Sequence, residues 1–229
     1  MRELRALAAA GFNRLTFRPT DTRNGARIRD GYNERMSGSD EVNRRSSGLK
    51  LTYEGLLQLP DDGRQHELID GEHLVTPAPV PSHQTILWKL VAAFDRYLEA
   101  NPIGRAFMAP LDVVLSDVDV VQPDLLYVAR ARVAGLVTET HVAGAPDLVV
   151  EIESPSSRKR DETTKRHLFE SYGVTEYWVI DPELQIVKVF RRREHRLSKV
   201  EELAAEAGDV LTTPLLPGLE SALVGLFTT

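Results

Sequence analysis

The residues best placed to do chemistry are carboxylates set into stretches that otherwise read as buried strand. Asp124 follows Pro123 within Val120-Val121-Gln122-Pro123-Asp124-Leu125-Leu126, and Glu151 and Glu153 close the run Leu148-Val149-Val150-Glu151-Ile152-Glu153. Side chains alternate along a strand, so Glu151 and Glu153 share one face and Ile152 takes the other. A carboxylate taken into a sheet face is costly unless it is paired or ligates a cation. Acids converging on one face therefore point to Mg2+ or Mn2+, hard ions that take oxygen ligands. The competing reading is that each acid lies at a strand end and is solvated, the usual fate of a single acidic residue.

Two basic groups bear on the same chemistry. Lys165 lies four residues after Asp161 on an expected helix, which permits a local ion pair. Turned instead towards the acids, its ammonium would stabilise an attacking hydroxide or a phosphate oxygen. His83, at the start of another expected helix, has two roles open to it: a local capping contact, or phosphate binding and proton transfer near neutral pH. The run Arg191-Arg192-Arg193 with Arg196 either contacts a phosphate backbone or marks a solvated strand end and turn, as charge runs generally do.

The elements that must position these groups follow from periodicity and punctuation. Thr52 before Tyr53, Leu56 and Leu57 predicts a brief helix that Pro60 ends. Residues 66–69 and 72–76 are strand-like and joined by Asp70-Gly71, a strong hairpin signal. Ser82 is expected to cap a long helix whose Ile86, Leu87, Leu90, Val91, Phe94 and Leu98 follow the 3.6-residue period, with Asn101-Pro102 at its end. Short strands are expected at 106–108, 112–115 and 120–128, the last running through Pro123. The apolar run 148–152 suits a central strand buried on both faces. A helix over 159–172 should stop at Gly173. Strands at 176–180, closed by Asp181-Pro182, and at 186–191 come next, with core positions for Tyr177 and Trp178. Residues 197–229 give weaker signals. This order predicts an α/β (α+β) fold, a mixed central β-sheet flanked by helices.

Composition sets outer bounds. The chain has 229 residues, 42% hydrophobic and 27% charged, and no cysteine, which excludes disulfides, thiolate zinc sites and cysteine nucleophiles. No apolar run approaches the roughly 20 residues needed to span a bilayer, no convincing secretory signal is present, and a cytoplasmic protein fits best. The net charge of −6 is uneven: residues 1–49 hold 10 Arg against 6 acids, and the remainder holds 18 basic and 28 acidic residues. An acidic body is a poor electrostatic footprint for nucleic acid unless basic strips or bound cations offset it. Residues 1–49, rich in Arg, Asn, Gly and Ser, read as a flexible or mis-called N-terminal extension, with Met36 rather than Met1 as the preferred start. Residues 50–229 then form the single folded domain.

From about residue 51 to residue 190 the chain resembles the Uma-type family of restriction endonucleases, within the PD-(D/E)xK nuclease superfamily. The resemblance rests on His66-Glu67-Leu68-Ile69-Asp70-Gly71-Glu72, Ser82-His83-Gln84, Val121-Gln122-Pro123-Asp124-Leu125-Leu126 and Gly144-Ala145-Pro146-Asp147-Leu148-Val149-Val150-Glu151. It continues with Ser154-Pro155-Ser156, Asp161-x-x-x-Lys165 and Gly173-Val174-Thr175-Glu176-Tyr177-Trp178-Val179-Ile180-Asp181-Pro182. The resemblance implies a restriction-endonuclease-like fold and an endonuclease that hydrolyses DNA phosphodiester bonds with one or two Mg2+ (or Mn2+) ions, often as a homodimer. It assigns Asp124 and Glu151 as metal ligands, with Glu67 as the acid that completes the set. The superfamily lysine normally lies two residues after the second acid, where this chain has Glu153. Families of this type supply it from the following helix, which makes Lys165 the replacement. Glu153 is then an additional outer ligand or the sign of an altered site. The alternative to a cutting enzyme is a nuclease-fold protein that binds nucleic acid or a protein partner without cleaving; a hydrolase of small phosphate esters is a third.

Overall fold

The computed structural model of the chain describes residues 50–154 and 157–228. The chain separates into two units, Met1–Ser46 and Ser47–Thr229, and everything described belongs to the second. The extension expected over residues 1–49 lies outside the described residues.

Thr52 accepts the Gly55 N–H with its side chain and opens a one-turn helix, α1 (Tyr53–Leu57). Strands β1 (Gln65–Ile69) and β2 (Glu72–Thr76) form the expected hairpin. Asp70 and Gly71 both take positive φ, 52° and 74°, as a type I′ turn requires. The long helix α2 (Pro81–Ala100) begins one residue before the expected Ser82 cap: Val80 is the N-cap and makes no side-chain bond. Proline is well suited to the first helical position because its missing N–H would have no partner there. Ser82 and His83 therefore lie inside the first turn.

After α2 come β3 (Gly104–Met108), β4 (Val113–Ser116), β5 (Asp119–Val121) and β6 (Leu125–Ala129). The single strand expected over 120–128 is thus two strands in different sheets. Pro123 cannot donate to a ladder, so pairing stops at Val121 and resumes at Leu125 after a redirected Gln122-Pro123-Asp124 link. A short helix not expected from sequence, α3 (Arg130–Leu136), and β7 (Val142–Ala143) lead to β8 (Leu148–Ile152), every residue of which is buried. Residues Arg160–Lys165 then wind as a π-helix and continue into α4 (Arg166–Tyr172). Gly173 caps α4 in the left-handed region. Strands β9 (Glu176–Asp181), β10 (Ile186–Arg193) and β11 (Arg196–Ala204) follow, then β12 (Val210–Thr212), β13 (Glu220–Ala222) and α5 (Leu223–Phe227).

The main sheet has the order β11-β10-β9-β8-β6-β3, and a smaller one runs β2-β1-β5-β4-β7. The main sheet is mixed: β8 runs parallel to β9 and antiparallel to β6. Alternation along β8 sends Leu148, Val150 and Ile152 to the face covered by Ile86, Leu90 and Phe94 of α2. It sends Val149 to the other face, with Leu168 and Phe169 of α4 and Val113 and Val121 of the smaller sheet. Each fully buried side chain of this size contributes about 1.5–3 kcal/mol. Glu151 projects to that second face, between the two sheets. Among the described residues no helix is long and apolar enough to cross a membrane.

Candidate active site

Glu67 stands mid-strand in β1 and is 1% exposed. Its Oε1 accepts the backbone N–H of Gln122 at 2.9 Å, a donor left without a ladder partner by the break at Pro123. Its Oε2 is buried without a hydrogen bond. Glu151, one residue from the end of β8, is also buried. The Lys165 ammonium donates to Glu67 Oε1 and to Glu151 Oε1, both at 2.9 Å. Lys165 is therefore directed at the acids, and no local pair with Asp161 forms. Asp124, in the link between sheets, accepts the Ile152 N–H at 2.7 Å through Oδ2. His83 Nε2 stands 3.2 Å from the same oxygen, so His83 reaches the site rather than its own helix end, and its Nδ1 is buried without a partner.

The electrostatics follow from this crowding. Burial disfavours the Lys165 ammonium, but Glu151, Glu67 and Asp161 outweigh it and hold its pKa above the ordinary lysine value. The two carboxylates that share Lys165 move in opposite directions. Glu67 is opposed by burial yet ends below its usual value, because Lys165 and the Gln122 N–H both favour the charged form. Glu151 lies well above, driven first by burial and then by Asp161, Asp124 and Glu67, against the pull of Lys165.

Glu153 shares a face with Glu151 and is 3% exposed. Arg158 approaches it at 3.5 Å while binding Asp181 at 2.8 Å and Glu183 at 3.0 Å. Glu153 does not contact Lys165. Glu67, His83, Asp124, Glu151, Glu153, Arg158 and Lys165 line one cleft of about 1040 Å³ whose wall also includes Met108 and Pro110.

Among the described residues no three acidic or imidazole side chains already stand at mutual metal-ligating spacing; the Lys165 ammonium lies between Glu67 and Glu151. The donors nonetheless fit a hard divalent ion: all are carboxylate oxygens, and Glu67 Oε2 is buried with no hydrogen-bond partner.

Of the arginine run, Arg191 and Arg192 are engaged within the fold, while Arg193 and Arg196 are exposed at the strand ends. Arg191 pairs with Glu176 and Glu201, and Arg192 donates to the carbonyls of Val174 and Glu170. Tyr177 and Trp178 are core residues. Sequence reasoning considered Asp161 only as a local partner for Lys165 and did not single out Arg160 beside it; Asp161 is 2% exposed and carries an unpartnered Oδ1.

The Uma2 family model, described as "Putative restriction endonuclease", matches residues 53–224. A solved structure described as a putative nuclease belonging to DUF820 from Anabaena variabilis is 25% identical, with a TM-score of 0.65, covering 77% of this chain and 97% of that one. No curated protein matches the chain.

Proposed function

Because the chain belongs to the Uma2 family, we propose that it is a Mg2+- or Mn2+-dependent endonuclease that hydrolyses phosphodiester bonds in DNA. The observation that carries this reading is the Lys165 ammonium held 2.9 Å from both Glu67 and Glu151 in an open cleft, with Asp124 beside them. Glu67, Asp124 and Glu151 would hold the ion, which supplies acidification of water and neutralisation of phosphate charge. Lys165 keeps Glu67 and Glu151 together and places a fixed positive charge where the reacting phosphate gains negative charge. The Ile152 N–H orients Asp124. His83, whose Nε2 faces Asp124 Oδ2 at 3.2 Å, would be the group that exchanges a proton with that carboxylate. Glu153 supports the outer side of the site through Arg158. A cytoplasmic location and a homodimer that cuts both strands complete the proposal.

Asp124→Ala and Glu151→Ala should each abolish Mg2+-dependent cleavage of a DNA substrate while far-UV circular dichroism stays that of a folded protein. Unchanged cleavage by both variants would sink the assignment. A second reading, binding without cleavage, draws on Lys165 already satisfying two of the acids and on Glu153 in the usual lysine position. Calorimetric titration with Mn2+ separates the two: metal binding that disappears in Asp124→Ala supports the nuclease, and no binding by the wild type supports the second reading.

A further inference from the structure

Five cationic or imidazole side chains line the cleft: Arg64, His83, Arg158, Arg160 and Lys165. Four already have partners or lie out at the rim. Lys165 is held by Glu67 and Glu151, His83 faces Asp124, and Arg158 is bound by Asp181 and Glu183. Arg64 is exposed and sits 3.7 Å from Asp62. Arg160 differs. Its single ion pair among the described residues is Nε to Asp161 Oδ1 at 3.8 Å, beyond hydrogen-bond reach. That Nε is buried with no acceptor, while the side chain as a whole is 23% exposed.

The π-helical winding explains how such a group comes to face the site. Arg160 and Lys165 are the first and last residues of the π segment, five positions apart, which is one hydrogen-bonded turn of a π-helix. An α-helix, at 3.6 residues per turn, would carry them to different faces. The wider turn keeps both on the cleft side, and the charge of Arg160 helps hold the Glu67 carboxyl below its usual range. A guanidinium with a buried, unsatisfied N–H beside carboxylates calls for an acceptor that presents two oxygens to its fork.

We propose that Arg160 grips the substrate: its guanidinium binds the two non-bridging oxygens of a phosphodiester admitted to the cleft beside Glu67, Glu151 and Lys165. The assignment rests on the nuclease reading. It divides labour within one turn, Lys165 organising the carboxylates and Arg160 holding the anion that Lys165 is too engaged to bind. The fork, not the charge alone, matters, so lysine is a poor replacement.

The test uses the full chain and a short fluorescein-labelled DNA duplex, with Ca2+ in place of Mg2+, and follows anisotropy across a KCl series. Arg160→Gln should weaken binding about tenfold and lower the slope of log affinity against log salt by about one. Arg160→Lys should keep the slope and lose affinity. Arg193→Gln, on the exposed end of β10, should change neither. Wild-type affinity and slope in Arg160→Gln would overturn the assignment and leave the nuclease reading standing, as would a loss seen only in Arg193→Gln. Duplex binding that depends on Arg160, without cleavage by the wild type in Mg2+ or Mn2+, would remove the nuclease reading and keep Arg160 as an anion-binding residue. No duplex binding by the wild type would overturn both.

Discussion

Glu153 stands two residues beyond Glu151, and its surroundings make the protein's stability depend on pH. Burial, then the charges of Glu162, Asp181 and Asp161, push its carboxyl from 4.5 up to about 7, with Lys188 opposing. Arg158, 3.5 Å away, is shared with Asp181 and Glu183. Between those two pH values the native state keeps a proton that the unfolded chain has released. Stability therefore falls as pH rises through the window and stays reduced above it. Glu153→Gln has no proton to lose, so above neutrality it should exceed the wild type by on the order of 2 kcal/mol. Urea midpoints across pH check this, and parallel profiles for the two proteins would refute it. Lys165 gives the complementary prediction. Lys165→Met leaves two carboxylates buried without their shared cation and should cost about 3–5 kcal/mol, part of which Glu151→Gln restores in the double variant. Glu151 and Asp124 were legible because an acid inside an apolar run is conspicuous. Glu67 was not, since its strand is short and polar, and only the family resemblance singled it out. Arg160 escaped, and Asp161 was read only as a local partner of Lys165, because charged residues on an expected α-helix look like a solvated face and nothing in residue types announces a π turn.

The elements that could be read in advance are those whose signals are local. The Asp70-Gly71 turn, the apolar stripe of α2 and the stop at Gly173 each depend on a few neighbouring residues, and each forms where expected. The link at Pro123 shows where local reading fails. The proline was visible, but its effect, sending β5 and β6 into separate sheets, depends on partners far away in sequence. Residues 197–229 were obscure for the same reason: β11 is defined by pairing with β10 and carries little pattern of its own. Gly173 offers a test at this scale. It sits at φ 93°, a conformation that a Cβ disfavours, and it ends the helical run that presents Lys165. Gly173→Ala should cost about 1 kcal/mol and lower the Tm by about 2–4 °C. A melt unshifted from the wild type would show that the cap is not strained by a side chain.

For the whole molecule, the two faces of the main sheet predict different consequences when disturbed. Phe94 packs edge-on against Trp178 at 6.0 Å between ring centroids, joining α2 to the sheet on the face away from Lys165. Phe94→Ala should cost about 3–5 kcal/mol yet preserve Mn2+ affinity in whatever fraction stays folded, measured by calorimetry below the melting transition. The charge distribution leads to a further expectation. Residues 50–229 carry 18 basic against 28 acidic groups, so duplex binding should require a divalent cation and collapse in chelator, a dependence that anisotropy in Ca2+ against EDTA resolves. Binding undiminished by chelator would place the nucleic acid elsewhere than the acidic cleft.

The pairing of Glu67 with Lys165 spans 98 residues and ties the smaller sheet to the helical run that follows β8. A ribosome releases Glu67 long before it reaches Lys165, and a chain cut short anywhere between them holds no complete site. On the proposed nuclease reading, this is a safeguard in the order of synthesis itself: a growing polypeptide that ends before Lys165 lacks half of the carboxylate–ammonium cluster, which forms only once both halves are made and docked.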